Sequence, residues 1–275
     1  MTDQPDKPLI QTRMEFMLTL ECKWGCRDCC RGLESTWIKG SHVTPVQAVR
    51  FMDELRDKQV YVKRLKVHGG EPMLNPDFSL IIKLLAEEIG PWEHGKLFGK
   101  IKVQTAYPRK AVETKHDIPW NGTTLQLHCE PVDDRNFKDH HVPWFVSPVD
   151  AGYLKLDETP PYGTALTGKA CELQSRCGRS FEAFGFTACA QESVIGRAIG
   201  VEVCTSEYKH WGDPEVCRHC PMSLGKEKSR ELQMRAKRGE LEHVTQSLKM
   251  LEATPDNIVQ LKAAYSDASE KQQRW

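Results

Sequence analysis

The sequence predicts an α/β fold assembled from βα units, and three observations lead to it. Short apolar segments alternate with helix-forming segments, the latter carry start and stop signals, and cysteines and glycines gather where two of the apolar segments end.

Residues 1–13 are polar and read as a loose lead-in. Glu15 to Leu20 is short, apolar and bounded by cysteines, the pattern of a buried strand. Thr44-Pro45-Val46-Gln47 combines an N-cap hydroxyl, a proline at the first helical position and a glutamine placed to close a capping box. A helix is expected from there to about Asp57, with Val49, Met52 and Leu55 on its apolar face. Tyr61 to Val67 reads as a second strand, running into His68-Gly69-Gly70-Glu71-Pro72. Asn75 or Asp77 is placed to cap a helix from Phe78 to Ile89, whose Ile81, Ile82, Leu84, Leu85 and Ile89 cover one side before Gly90-Pro91 ends it.

Ile101 to Thr105 and Thr124 to Cys129 are the next strands, and Trp144 to Val149 is a candidate fifth. Between Asp157 and Gly168, proline and glycine interrupt both periods, which predicts a boundary. The expected organisation is a main domain over 14–165, a cysteine-rich unit over 166–222 and a helical tail over 223–275. In the tail, Leu241, Val244, Leu248 and Leu251 recur at helical spacing, and Thr254-Pro255-Asp256-Asn257 opens a last helix towards Tyr265.

The chain has 275 residues, and its 38 Lys+Arg balance its 38 Asp+Glu, so no bulk field argues for nucleic acid or an anionic membrane. A signal-peptide pattern and a membrane-spanning apolar run are both missing from the sequence, and a soluble, cytoplasmic protein is expected. Its 11 cysteines then point to metal or redox use, because a reducing compartment discourages disulfides.

Cys22, Cys26 and Cys29 follow the first strand at the spacing C-x3-C-x2-C, close enough to converge on one point. Thiolates suit zinc or iron–sulfur clusters, and three protein ligands leave one coordination position open to a substrate or cofactor. Gly69 and Gly70 end the second strand without side chains, so the backbone edge there can touch a ligand, and Glu71 offers a carboxylate for that ligand's amino group.

Cys22-x3-Cys26-x2-Cys29 after one strand and Gly69-Gly70-Glu71-Pro72 after the next resemble the radical SAM enzyme superfamily. The resemblance implies a partial βα barrel, trimmed here because the main domain supplies four clear strands and a possible fifth, with a C-terminal cysteine-rich cap. It implies that Cys22, Cys26 and Cys29 hold a 4Fe-4S cluster whose remaining iron is chelated by S-adenosylmethionine, and that Gly69, Gly70, Glu71 and Pro72 contact the cofactor's methionine moiety. Thr105 and Glu130, at the ends of later strands, fall where the family places further cofactor contacts. The activity implied is reductive cleavage of S-adenosylmethionine to a 5'-deoxyadenosyl radical that takes a hydrogen atom from a substrate, with electrons from an external donor such as a flavodoxin or ferredoxin. One departure from the family is Asp28, where an aromatic residue usually precedes the last cluster cysteine; Trp24 is the nearest substitute.

Cys171, Cys177, Cys189, Cys204, Cys217 and Cys220 form a second group. CGRSFEAFGFTAC and CRHCP resemble the short SPASM or "twitch" extension of radical SAM enzymes, which carries an auxiliary 4Fe-4S cluster, although the interval from Gly185 to Cys189 is one residue shorter than the family pattern. The resemblance favours Cys177, Cys189, Cys217 and Cys220 as ligands, with Cys171 or Cys204 as substitutes; a four-cysteine zinc site fits the spacing as an alternative. Substrates consistent with it are a peptide, as in maturases, or a small metabolite. A non-catalytic zinc or iron–sulfur binding module is the alternative from another class, one with no use for the Gly69-Gly70 strand end.

Cys30 is expected to be a buried small residue, and His128, His140 and His141 are left without a role. Val194 to Glu202 lacks a phosphate-loop ending and reads as a local turn, and the basic stretch Lys226 to Arg238 reads as a solvated helix face.

Overall fold

The structure is a computed structural model that describes residues 7–23, 41–120, 122–129, 147–149, 151–176, 178–238 and 240–241. In chain order its main elements are β1 (Leu9–Gln11), β2 (Met14–Thr19), α1 (Pro45–Asp57), β3 (Val60–Val62), β4 (Leu65–Gly69), α2 (Phe78–Glu87), β5 (Ile101–Thr105), α3 (Arg109–Lys115) and β6 (Leu125–Cys129). The cysteine-rich segment adds α4 (Glu172–Arg176), β7 (Ser180–Glu182), β8 (Gly185–Thr187), α5 (Glu192–Ile199) and α6 (Pro214–His219), followed by α7 (Lys226–Lys237).

Six strands form one mixed sheet in the order β6-β5-β4-β2-β7-β8, parallel throughout except for the β7–β8 hairpin. The connections from β2 to β4, β4 to β5 and β5 to β6 carry helices α1, α2 and α3, as parallel neighbours require. An α/β fold is therefore present. The strands at one edge come from the cysteine-rich segment, because β7 pairs with β2 at Glu15↔Ser180 and Phe16↔Phe181.

One face of the sheet packs on α1 and α2. Met14, Phe16 and Leu18 of β2 join Leu65, Val67, Ile101 and Val103 in this core. Phe16, Phe51, Phe181 and Phe186 sit together there, with the Phe16–Phe51, Phe51–Phe181 and Phe181–Phe186 ring centroids each 4.9 Å apart. Aromatic packing of this kind binds the hairpin into the main core. Helix α1 begins as expected: the Gln47 amide nitrogen of the backbone donates to Thr44 Oγ1 and the Thr44 N–H donates to Gln47 Oε1. The Gln47 side chain also donates to the Ala183 carbonyl at 2.8 Å, so the capping residue holds the hairpin turn.

Several expectations need correction. The lead-in contains β1, which pairs in parallel with β3. The stretch expected as one strand from Tyr61 to Val67 divides at Lys63 and Arg64, with β3 in the small sheet and β4 in the large one. On α1 the buried face is Ala48, Phe51, Met52 and Leu55, while Val49 is exposed; a one-position shift brings Phe51 to the core. Neither Asn75 nor Asp77 gives α2 a side-chain cap hydrogen bond. Val194 to Glu202 is no local turn: it begins inside α5, which ends with Gly200 in the left-handed region. Residues 147–149, the described part of the candidate fifth strand, are irregular and in a turn.

The basic stretch forms α7, but one side of it is buried, with Leu232 and Ala236 packed beside Leu154, Leu224 and Leu241. Val244, Leu248, Leu251 and the last expected helix lie outside the described residues. No helix among the described residues is long and apolar enough to cross a membrane.

Candidate active site

The C-terminal end of β2 launches the first cysteine group from a closed neck. Val43 N–H donates to the Leu18 carbonyl at 3.0 Å and Leu20 N–H donates to the Ser41 carbonyl at 2.9 Å. The Asn75 amide bridges the two stems, donating to the Leu18 carbonyl at 2.9 Å and the Val43 carbonyl at 2.8 Å. His42 adds a further tie, its Nδ1 2.8 Å from Thr19 Oγ1 and its Nε2 3.3 Å from Glu21 Oε2. Cys22 is placed just beyond this neck. Cys26 and Cys29, with Trp24, Asp28 and Cys30, lie outside the described residues.

Gly69 and Gly70 meet that neck. Gly70 N–H donates to the Thr19 carbonyl and Glu71 N–H to the Glu21 carbonyl, each at 2.8 Å. A Cβ on Gly69 would run into the Thr19 carbonyl oxygen; one on Gly70 would run into that of Glu21 and lie 3.0 Å from Cys22 Cβ. The expectation that a missing side chain opens the strand edge to a ligand thus takes a different form. The space is filled by the backbone of Thr19 at the end of β2 and of Glu21 just beyond it, and two glycines are what allow Cys22 to sit against the end of β4.

Glu71 is 1% exposed and its carboxylate ties three segments together. Oε1 accepts from Thr105 Oγ1 at 2.5 Å and from Met73 N–H at 3.1 Å, and Oε2 accepts from Ala106 N–H at 2.9 Å. All three donors are neutral. Among the described residues no cation pairs with this buried carboxylate, which retains acceptor capacity on Oε2. Pro72 is buried and opens a 3-10 turn behind Glu71. Thr105, expected as a separate cofactor contact, is 2% exposed and brought to Glu71 instead. Glu130 lies outside the described residues, next to Cys129, which pairs in register with Thr105. Burial pushes the Cys129 thiol up, with Arg109 opposing.

The face of the sheet opposite the phenylalanine core is polar, and sequence reasoning passed over it. Glu15 and His68 are both buried there, with His68 Nε2 3.2 Å from Glu15 Oε2. Glu15 Oε1 also faces Arg13 at 3.4 Å and Lys66 at 4.0 Å. The register sets Lys66 beside Lys102, and Gln104 beside His128. The available signal was the alternation in Leu65-Lys66-Val67-His68 and Ile101-Lys102-Val103-Gln104. A central parallel strand covered on both faces is normally a near-continuous apolar run, so polar residues at every second position mark a face put to use.

The second cysteine group gathers Cys171, Cys189, Cys217 and Cys220. Burial pushes the pKa of all four thiols up, making them weaker acids, with neighbouring thiols of the same group adding to the effect on Cys189, Cys217 and Cys220; the Cys220 thiol is pushed up to about 12. A Cβ on Gly212 would lie 2.6 Å from Cys217 Sγ, and one on Gly163 would lie 3.3 Å from it and 3.8 Å from Cys171 Sγ. Cys171 thus stands with the thiols for which it was only a substitute, and Cys177 lies outside the described residues. Cys204 is engaged elsewhere, donating to Glu182 Oε1 at 3.4 Å beside the Arg197 guanidinium. Glu192 braces the group: its carboxylate accepts from Ala188 N–H, Lys209 Nζ and Asp213 N–H.

The four thiols come from three segments, Cys217 and Cys220 sharing one, and thiolates are the ligand type that suits a thiophilic metal centre, whose positive charge would offset the cost of ionising buried sulfur. Among the described residues, no three His, Cys, Asp or Glu side chains form a group able to hold a single metal ion. Cys22 and the second cysteine group lie towards opposite ends of β2. Cys189, two residues beyond Thr187 on a strand antiparallel to β7, falls level with Gly178, which packs on Arg13. From Arg13 to Thr19 a strand rises about 20 Å. The polar face of the sheet spans that interval.

No protein-family model matches the chain, and no curated protein matches it.

Proposed function

We propose that the chain is a radical SAM enzyme whose sheet is part of a trimmed βα barrel, acting on a peptide or a small metabolite. The observation that carries this reading is Glu71: its buried carboxylate has no cationic partner among the described residues, and its backbone N–H donates to the Glu21 carbonyl, next to Cys22. Burying an anion without a counter-charge costs several kcal/mol or so in effective terms, and a ligand's ammonium group would supply the missing charge.

In this reading Cys22, Cys26 and Cys29 hold a 4Fe-4S cluster. S-adenosylmethionine bound there is the source of a hydrogen-abstracting 5'-deoxyadenosyl radical. Glu71 holds the cofactor's amino group, Thr105 and Met73 N–H fix the carboxylate, and Gly69 and Gly70 keep the cysteine loop pressed to the end of β4. Cys171, Cys189, Cys217 and Cys220 hold the auxiliary centre. The seven described cysteines are all free thiols, in keeping with a reducing, cytoplasmic setting, and electrons come from a flavodoxin- or ferredoxin-like donor.

The test is anaerobic incubation of the iron-loaded chain with S-adenosylmethionine and a strong one-electron reductant. 5'-Deoxyadenosine is expected from the native chain and not from Cys22→Ala or Cys26→Ala. Cleavage that survives both substitutions, or a colourless zinc protein on anaerobic purification, would sink the reading.

A further inference from the structure

We propose that the polar face of the sheet binds the acidic group of the substrate, a carboxylate or a phosphate, through Lys102 with Gln104 beside it. The word "substrate" rests on the enzyme reading above; the anion site stands on its own geometry. Lys102 lies opposite Lys66 across the β4–β5 ladder, and both point away from the apolar core because Leu65, Val67, Ile101 and Val103 occupy the other face. Two ammonium groups directly opposite each other in a sheet repel, and this pair is half-buried, where solvent screens it less.

Among the described residues, Lys66 has a carboxylate at hand and Lys102 does not. Glu15 stands 4.0 Å from Lys66 and is shared with Arg13 and His68. Glu182, also on this face, is held by Arg197 at 2.7 Å. Among the described residues, Lys102 has neither an ion pair nor a side-chain hydrogen bond, and Gln104 follows it on the same face, one step nearer the strand ends. An ammonium and a neutral amide donor about 7 Å apart along a strand match the oxygens of a carboxylate or phosphate set between them. The position is between Cys22 and the four-thiol group, so an acidic group anchored at Lys102 would direct the rest of the molecule towards the cysteine loop.

The probes are inorganic phosphate and succinate, titrated calorimetrically into the anaerobically prepared, iron-loaded chain at constant ionic strength in chloride. One anion per chain is expected to bind, weakened about tenfold or more by Lys102→Gln, retained by Lys102→Arg and unaffected by the exposed control Lys63→Gln. Preference for succinate assigns a carboxylate and preference for phosphate a phosphoryl group. A second measurement needs no variant: the bound anion should protect Lys102, and not Lys63, from amine acetylation read by mass spectrometry.

Failure of both anions to bind, or binding and protection that ignore Lys102, overturns the proposal and means the chain's own acids cover the ammonium. 5'-Deoxyadenosine formation by the native chain is scored separately. Anion binding without cleavage removes the enzyme reading and keeps the site, and cleavage without anion binding does the reverse.

Discussion

Thr105 Oγ1 donates to Glu71 Oε1 at 2.5 Å, joining the end of β5 to the strand end that holds the cysteine loop. The hydroxyl acts through the carboxylate. Thr105→Val removes one of three neutral donors and leaves Glu71 less well satisfied, at a cost of about 1–3 kcal/mol. Glu71→Gln keeps the shape but removes the charge that an ammonium would answer. We expect it to weaken S-adenosylmethionine binding about tenfold or more in equilibrium dialysis, while iron content stays near native. Equal affinity in native and Glu71→Gln chains would show that the carboxylate serves the fold alone.

Asn75 closes the neck of the same loop with two hydrogen bonds from one buried amide. Asn75→Ala leaves the Leu18 carbonyl with Val43 N–H as a partner but deprives the Val43 carbonyl of its amide donor. The expected loss is about 2–3 kcal/mol, or roughly 4–10 °C in melting temperature for a chain of this size. Iron incorporation at Cys22 should fall with it. An unchanged melting temperature with full iron loading would mean that the neck holds without Asn75.

Much of the α/β architecture was legible because helix signals and apolar runs are local: the Thr44 box, the Phe78 helix and three of the four main strands stand where the pattern puts them, while the Tyr61 to Val67 run divides between two sheets. The hairpin's place in the sheet was not legible. Nothing local in Ser180-Phe181-Glu182 says that it pairs with β2, which depends on Phe16 and Phe51 meeting Phe181 across more than a hundred residues of chain. At the site, Gly70 and Glu71 were legible as special residues, yet their partners Glu21 and Thr105 are set by tertiary packing. Asn75 looked like a helix cap because its sequence position suits one, and the competing carbonyls of Leu18 and Val43 are visible only in the fold.

Arg197 and Glu182 form an ion pair that is 5% and 0% exposed at the side chains, with Ser193 Oγ donating to the same carboxylate at 2.9 Å. A buried pair adds little net stability over an apolar replacement, but breaking it strands a charge. Arg197→Met should cost about 3–5 kcal/mol in urea denaturation. The double change Glu182→Leu with Arg197→Met should recover much of that loss, because no bare charge remains. A double variant as weak as the single one would show that Glu182 is held mainly by Ser193 and Cys204.

His116 sets an acid limit on the main domain. Its Nδ1 lies 2.5 Å from Ser79 Oγ and its ring packs edge-on against Phe78, while Nε2 is buried without a hydrogen-bond partner among the described residues. Burial, with the Lys115 charge beside it, holds the ring's proton affinity below that of an ordinary histidine. The unfolded chain therefore takes up this proton more readily than the folded one. The stabilising contribution is complete above the ordinary value of about 6.5 and is lost as pH falls from there through the lower folded value. Urea midpoints measured at pH 7.5 and 5.5 should show a loss at the lower pH that is smaller in His116→Gln, whose amide does not titrate. Identical pH slopes in the two chains would assign the acid sensitivity to another group.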